Sequence, residues 1–122
     1  MKKKVLLVDD KSEFRQLLSI ILNSKFKINT AGNGLEALTL LKCGYQPDII
    51  ISDLSMPKVD GTDLLLQLKA DIAYRDIPVI ILSSNDDSSN KVKLLRSGAV
   101  DYLEKPFNPA ELEVRIERVF AR

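Results

Sequence analysis

The chain alternates between two kinds of apolar spacing. Short runs in which every residue, or every second one, is apolar are separated by stretches where apolar residues recur three and four positions apart. Val5-Leu6-Leu7-Val8, Ile49-Ile50-Ile51 and Val79-Ile80-Ile81-Leu82 are unbroken and read as strands buried on both faces. Phe26-Lys27-Ile28-Asn29-Thr30 and Asp101-Tyr102-Leu103-Glu104 alternate with polar residues, which places them at sheet edges. Helical spacing appears first in Phe14, Leu17, Leu18 and Ile21, then in Leu38 and Leu41, and then in Leu64, Leu65, Leu68 and Ile72. Val92, Leu95 and Ala99 mark a weaker fourth helix, and Leu112, Ile116, Val119 and Phe120 a clear fifth that begins after Asn108-Pro109.

Five strand-helix units in this order predict a three-layer α/β domain around a five-stranded parallel sheet. With right-handed crossovers and the second and fifth strands at the edges, the economical order is 2-1-3-4-5, the flavodoxin-like (βα)5 arrangement. Strands one and three then lie side by side, and open α/β sheets bind ligands at such a switch point, beyond the carboxyl ends of the strands. At 122 residues, 45% hydrophobic and 29% charged, the chain is expected to fold as one domain over 1–122 with a substantial core.

Charge and composition then narrow the function. Eighteen basic against 17 acidic residues, a net charge of +1, leaves no basic footprint for nucleic acid. Lys2-Lys3-Lys4 precedes only four apolar residues, too few for a signal peptide, and no run approaches the roughly 20 residues of a membrane span. The single cysteine, Cys43, has no disulfide partner and reads as a helix-end residue, so a cytoplasmic location is expected. Histidine is absent, which excludes a histidine ligand, base or phosphocarrier within this chain.

The candidate chemistry sits at the strand ends. Asp9 and Asp10 follow the first strand, Asp53 the third, Ser83 the fourth, and Lys105-Pro106 the fifth. Each alone has a plain structural explanation: Asp10 could cap the first helix, Asp53 and Ser83 could open turns, Tyr102 could fill core, and Lys105 could be a solvated loop charge. Their joint placement argues otherwise, because parallel strands bring all their carboxyl ends to one side. Two carboxylates about 4 Å apart repel by about 4 kcal/mol at an effective dielectric of 20, so three acids sharing a pocket call for a cation or a raised pKa. All-oxygen ligands favour Mg²⁺ over zinc, and Mg²⁺ held by carboxylates commonly shares a phosphate. Asp53 as in-line nucleophile, with the ion, Lys105 and Ser83 around the phosphoryl oxygens, would yield an aspartyl phosphate.

These residues resemble a known family, the receiver domain of bacterial two-component response regulators. The resemblance covers essentially the whole chain and rests on Asp9-Asp10, on Asp53 followed by Pro57 and Gly61, on Ser83, on Tyr102 and on Lys105-Pro106-Phe107, in the family's order and spacing. It implies that a partner histidine kinase, a phosphotransfer protein or a small phosphodonor phosphorylates Asp53 in a Mg²⁺-dependent step. By similarity, Asp10, Asp53 and the backbone carbonyl of Ser55 hold the ion, Asp9 helps through water, Lys105 pairs with the phosphoryl oxygens, and Ser83 hydrogen-bonds the phosphate. Ser83 drawn inward would vacate space for Tyr102 to enter, so the face of helix four, strand five and helix five becomes the output surface, with the polar segment Ser84–Asn90 yielding. The family position of Lys105-Pro106 is commonly cis. Ser84 stands where the family usually carries alanine or glycine, and Ser55 and Asn85 occupy positions that tune phosphate lifetime. The resemblance leaves open whether the domain is freestanding or fused to an effector, its downstream protein partner, and whether phosphorylation drives dimerisation.

Two rival classes share some of these features. Gly32-Asn33-Gly34-Leu35-Glu36-Ala37 matches the dinucleotide pattern G-x-G-x-x-A, with Asp53 lying 53 − 34 = 19 residues beyond the second glycine. It follows an alternating edge strand rather than a buried central one, which argues against it. A phosphatase with an aspartate nucleophile would place its general acid two residues after Asp53, where this chain has Ser55.

Overall fold

A computed structural model describes residues 2–84 and 88–121. The elements alternate as β1 (Lys3–Val8), α1 (Ser12–Leu22), β2 (Phe26–Ala31), α2 (Gly34–Lys42), β3 (Ile49–Asp53), α3 (Gly61–Lys69), β4 (Val79–Ser83), α4 (Ser88–Arg96), β5 (Asp101–Glu104) and α5 (Pro109–Phe120). The strands form one parallel sheet in the order β2-β1-β3-β4-β5, the flavodoxin-like topology expected from the pattern, with the alternating strands at its edges. None of the described helices is long and apolar enough to cross a membrane.

Strand periodicity divides the sheet's side chains between two cores. Leu6, Val8, Ile50, Ile81 and Tyr102 pack towards α2, α3 and α4, while Val5, Leu7, Ile51, Leu82 and Leu103 pack towards α1 and α5. The three central strands are buried along nearly their whole length, which is why their sequences are unbroken aliphatic runs.

The helix starts are chemically specified. Asn33 caps α2 by accepting from the Glu36 N–H at 2.9 Å, while the Glu36 carboxylate accepts from the Gly32 N–H at 3.1 Å, a reciprocal capping box. Asp60 caps α3 through the Asp63 N–H, and Asn108 caps α5 with Pro109 in the first turn. The N-cap of α1 is Lys11, which makes no side-chain cap, so Asp10 does not serve the helix as a cap.

Several helix faces differ from the pattern-based expectation. In α1 the buried stripe steps by four through Phe14, Leu18 and Leu22, and Leu17 is exposed. Ile72 lies beyond the end of α3 and is exposed. In α4 the buried residue is Leu94, 1% exposed, whereas Val92 and Leu95 face outward at 47% and 38%. The cause is the helix's ending: Gly98 adopts φ +114°, the Ala99 N–H bonds to the Leu94 carbonyl at 3.1 Å, and the Gly98 N–H bonds to Leu95 at 3.2 Å. This Schellman closure folds Ala99 back onto Leu94 and sets which face the helix buries. The same closure ends α2, through Gly44, Tyr45, Leu40 and Leu41, and leaves Cys43 exposed at the C-cap. The polar segment expected over 84–90 is shorter than its composition suggests, because Ser88–Asn90 belong to α4, and Asn85 lies outside the described residues.

The reassigned face of α4 is directly testable by urea unfolding. Leu94→Ala is expected to cost about 2–5 kcal/mol, and Leu95→Ala less than about 1 kcal/mol. Equal losses would contradict the helix orientation described here.

Candidate functional site

Asp9 ends the ladder of β1 and is fully buried. Its N–H donates to the Ala31 carbonyl at 3.1 Å, its Oδ1 accepts the Lys11 N–H at 2.9 Å, and its own carbonyl accepts from the Arg15 guanidinium at 2.5 Å. The loop after β1 is therefore fixed from β2 and from the first turns of α1. Asp10, next in the chain, is exposed.

Asp53 ends β3 and is 7% exposed. The Ser52 hydroxyl donates to its carbonyl at 2.9 Å, and the following N–H, of Leu54, bonds to Leu82 of β4 at 2.8 Å. Gly61 starts α3 so close to this strand end that a Cβ there would stand 2.4 Å from the Asp53 carbonyl oxygen. Only glycine lets the helix start against the acid's backbone. Asp9, Asp10 and Asp53 each offer a carboxylate oxygen within 4.8 Å of the others.

Lys105 arrives from the opposite side. Its N–H donates to the Ser83 carbonyl at 2.7 Å, and the Lys105-Pro106 peptide is cis. The ammonium lies 3.1 Å from Asp53 Oδ1 and 3.2 Å from Asp9 Oδ2, with the side chain 18% exposed. It also sits 4.3 Å from the centre of the Phe14 ring, which meets Phe107 edge-on at 6.1 Å and 83°. Ser83 is buried at the end of β4. Tyr102 is 3% exposed within the core beneath α4, and Ser55 is exposed two residues past Asp53.

The electrostatics favour a further cation. Burial pushes the Asp53 carboxyl above its ordinary value of 3.8, the Lys105 charge opposes this, and repulsion from Asp9 adds to it. Three carboxylates facing one ammonium leave two uncompensated negative charges. The donor set consists of hard oxygens lying within 4.8 Å of one another, against roughly 3.0–4.2 Å between ligands of one octahedral Mg²⁺. The residues fit a small hard dication.

The glycine pattern of the rival dinucleotide reading has other duties. Asn33 and Glu36 occupy the N-terminus of α2, the Gly34 N–H bonds to the Val59 carbonyl at 3.0 Å, and a Cβ on Gly34 would approach that oxygen to 2.5 Å. These glycines serve close packing. Two residues that the sequence pattern did not flag for the site prove to border it: Phe14, assigned only to an apolar stripe, and Arg15. The available signal was an aromatic and a cation in the first helical turns after an acid pair.

Fold and site together define a class, a flavodoxin-like α/β domain with an acidic pocket at the switch point and a lysine facing it. The response regulator receiver domain model matches residues 5–117, and the chain belongs to that family. It is accordingly a phosphoacceptor signalling switch of two-component systems, and receiver domains bind Mg²⁺ at an acidic pocket. Among its relatives, the probable transcriptional regulator ycf27 of Guillardia theta is 39% identical over 122 residues, covering 99% of this chain and 46% of the relative. DNA-binding response regulator MtrA of Mycobacterium leprae (strain TN) is 35% identical over 95% of this chain and 50% of its own length. The chain spans about half the length of these curated relatives. The Francisella response regulator 1452 receiver domain superposes with a TM-score of 0.92 at 36% identity, over 99% of this chain and 98% of the other. Chemotaxis response regulator CheY4 of Vibrio cholerae gives 0.88 at 32% identity, over 98% and 99%.

The raised Asp53 pKa carries a stability consequence. A carboxyl whose folded pKa exceeds its unfolded one costs nothing below 3.8, where both states are protonated, and costs progressively more as pH rises through the folded value. With divalent ions chelated, Asp53→Asn is expected to raise the urea midpoint at pH 7. That gain should vanish as pH falls below 3.8. A variant less stable than the parent at neutral pH would show that the lysine contact outweighs burial.

Proposed function

We propose that Asp53 is the phosphoacceptor, that Asp9, Asp10, Asp53 and the Ser55 backbone carbonyl hold Mg²⁺, and that a histidine kinase or phosphotransfer protein is the donor. The observation that carries this reading is the Lys105 ammonium shared between Asp53 and Asp9 inside the acid cluster. A carboxylate held by burial above its usual basicity is a stronger nucleophile. One Asp53 oxygen forms the new P–O bond as the donor's P–N bond breaks, the bonding pair leaving with the imidazole nitrogen. These 122 residues contain no histidine, so the donor histidine lies outside them. Bound Mg²⁺ supplies charge neutralisation for the acids and for the transferring oxygens.

Within the chain, Lys105 exchanges its Asp53 contact for a phosphoryl oxygen, and the Ser83 hydroxyl turns towards the new acceptors. Ser83 drawn inward vacates space beside β4 for the ring of Tyr102, a residue 3% exposed in the core beneath α4. The change is read on the face of α4, β5 and α5, where Val92, Leu95 and Val114 are exposed and Arg115 bonds Asp101 at 3.0 Å. A downstream protein or a fused effector receives it, in the cytoplasm. Hydrolysis as a general phosphatase is disfavoured by Ser55, which lacks a carboxyl for the general acid.

Incubation with acetyl phosphate and Mg²⁺ should give one hydroxylamine-sensitive label, lost with chelator and in Asp53→Asn. Acid-stable label that survives Asp53→Asn would defeat the assignment. Lys105→Ala should still accept phosphate, though more slowly, yet change conformation poorly, as followed by amide shifts on α4 and β5. A full conformational response in that variant would remove Lys105 from the relay.

A further inference from the structure

We propose that Phe14 is a positioning residue for phosphoryl transfer, its ring face holding the Lys105 ammonium between Asp53 and Asp9. The inference rests on the reading of Asp53 as phosphoacceptor. Lysine's four-carbon stem leaves its charge poorly located unless several groups converge on it. Here three do: Asp53 Oδ1 at 3.1 Å, Asp9 Oδ2 at 3.2 Å and the Phe14 ring at 4.3 Å. The negative face of an aromatic ring attracts a cation, and the attraction strengthens when water is excluded, as it largely is around this side chain.

The ring is itself braced. Phe107 meets it edge-on at 6.1 Å, and Phe107 lies two residues past Lys105, so one turn delivers both the amine and the brace. Beside Phe14, Arg15 holds the Asp9 carbonyl. The first turns of α1 thus fix one of the acids and the cation that faces it. A leucine or methionine at position 14 would keep the apolar packing against the α1–α5 core but would offer no quadrupole to the ammonium.

That difference separates positioning from mere packing. Initial rates of Asp53 labelling by acetyl phosphate with Mg²⁺ are compared for the parent, Phe14→Leu, Phe14→Met, Phe14→Tyr and Phe14→Trp. The Lys105 ε-methylene proton shifts, which an overlying ring moves upfield, are recorded for each folded variant. Phe14→Leu and Phe14→Met should label about 2- to 30-fold more slowly and lose the upfield shift, while Phe14→Tyr and Phe14→Trp stay within about twofold of the parent. Should Phe14→Leu fail to fold, Phe14→Met carries the comparison. Aliphatic variants as fast as the parent, or aromatic variants as slow as the aliphatic ones, would overturn the inference. A parent that takes no label at Asp53 would instead overturn the phosphoacceptor reading, and the ε-proton shifts alone would then decide the position of Lys105.

Discussion

The site depends on one electrostatic constraint, the burial of Asp9 and Asp53 against a single ammonium. Unpaired, two ionised carboxylates in so little water would shed their charge by taking up protons. Lys105 lies within 3.2 Å of both and offsets part of the cost. The remainder persists as the raised pKa of Asp53, whose largest cause is burial itself. The protein thus keeps a basic, under-neutralised carboxylate at a strand end, a state that a hard dication relieves.

Such a state survives only if the backbone holds the charged groups still. Asp9 is tied to Ala31, Lys11 and Arg15, Asp53 to Ser52 and, through Leu54, to Leu82, and Lys105 to Ser83. The ties to Ala31, Arg15, Leu82 and Ser83 cross from one strand end to a neighbouring element, so the parallel sheet does the positioning and the strand ends carry the chemistry. Gly61 extends the argument to α3, since any side chain there would collide with the Asp53 carbonyl. Asp60 caps that helix while Lys11 leaves α1 without a side-chain cap, so Asp60 serves a helix and Asp10 joins the acid pocket.

Much of this was legible in the sequence because strand burial and strand ends leave strong local marks. The three central strands, their order and the convergence of Asp9, Asp10 and Asp53 follow from unbroken aliphatic runs that stop at acids. Helix faces were less legible. Val92 and Leu95 fit a helical period as well as Leu94 does, and the choice is made by Gly98, whose positive φ folds Ala99 onto Leu94. Leu17 is apolar yet exposed for a related reason: the α1 stripe steps by four, from Phe14 to Leu18 to Leu22. The contact of Phe14 with Lys105 joins residues 91 positions apart (105 − 14), and no local spacing encodes it.

The proposed phosphoryl transfer would change the charge at the strand ends. The three acids and Lys105 carry a net charge of −2. With Asp53 as the phosphoacceptor proposed above, converting its carboxylate to the phosphate replaces one negative charge with up to about two, taking these side chains to about −3 before the charge of a bound Mg²⁺ is added. Among the described residues, the ammonium of Lys105 lies against Asp53, and Ser83 is buried at the end of the neighbouring strand. Both belong to the β4–β5 side of the sheet, and the Ser83 carbonyl already accepts the Lys105 N–H at 2.7 Å. Tension on either is felt by the other, and β4 and β5 are the strands under α4. Asp9 and Asp53, by contrast, are held at the ends of β1 and β3 by bonds to Ala31, Lys11 and Ser52. On the proposed assignment, an asymmetric pocket of this kind would direct the response towards the β4–β5 edge of the sheet.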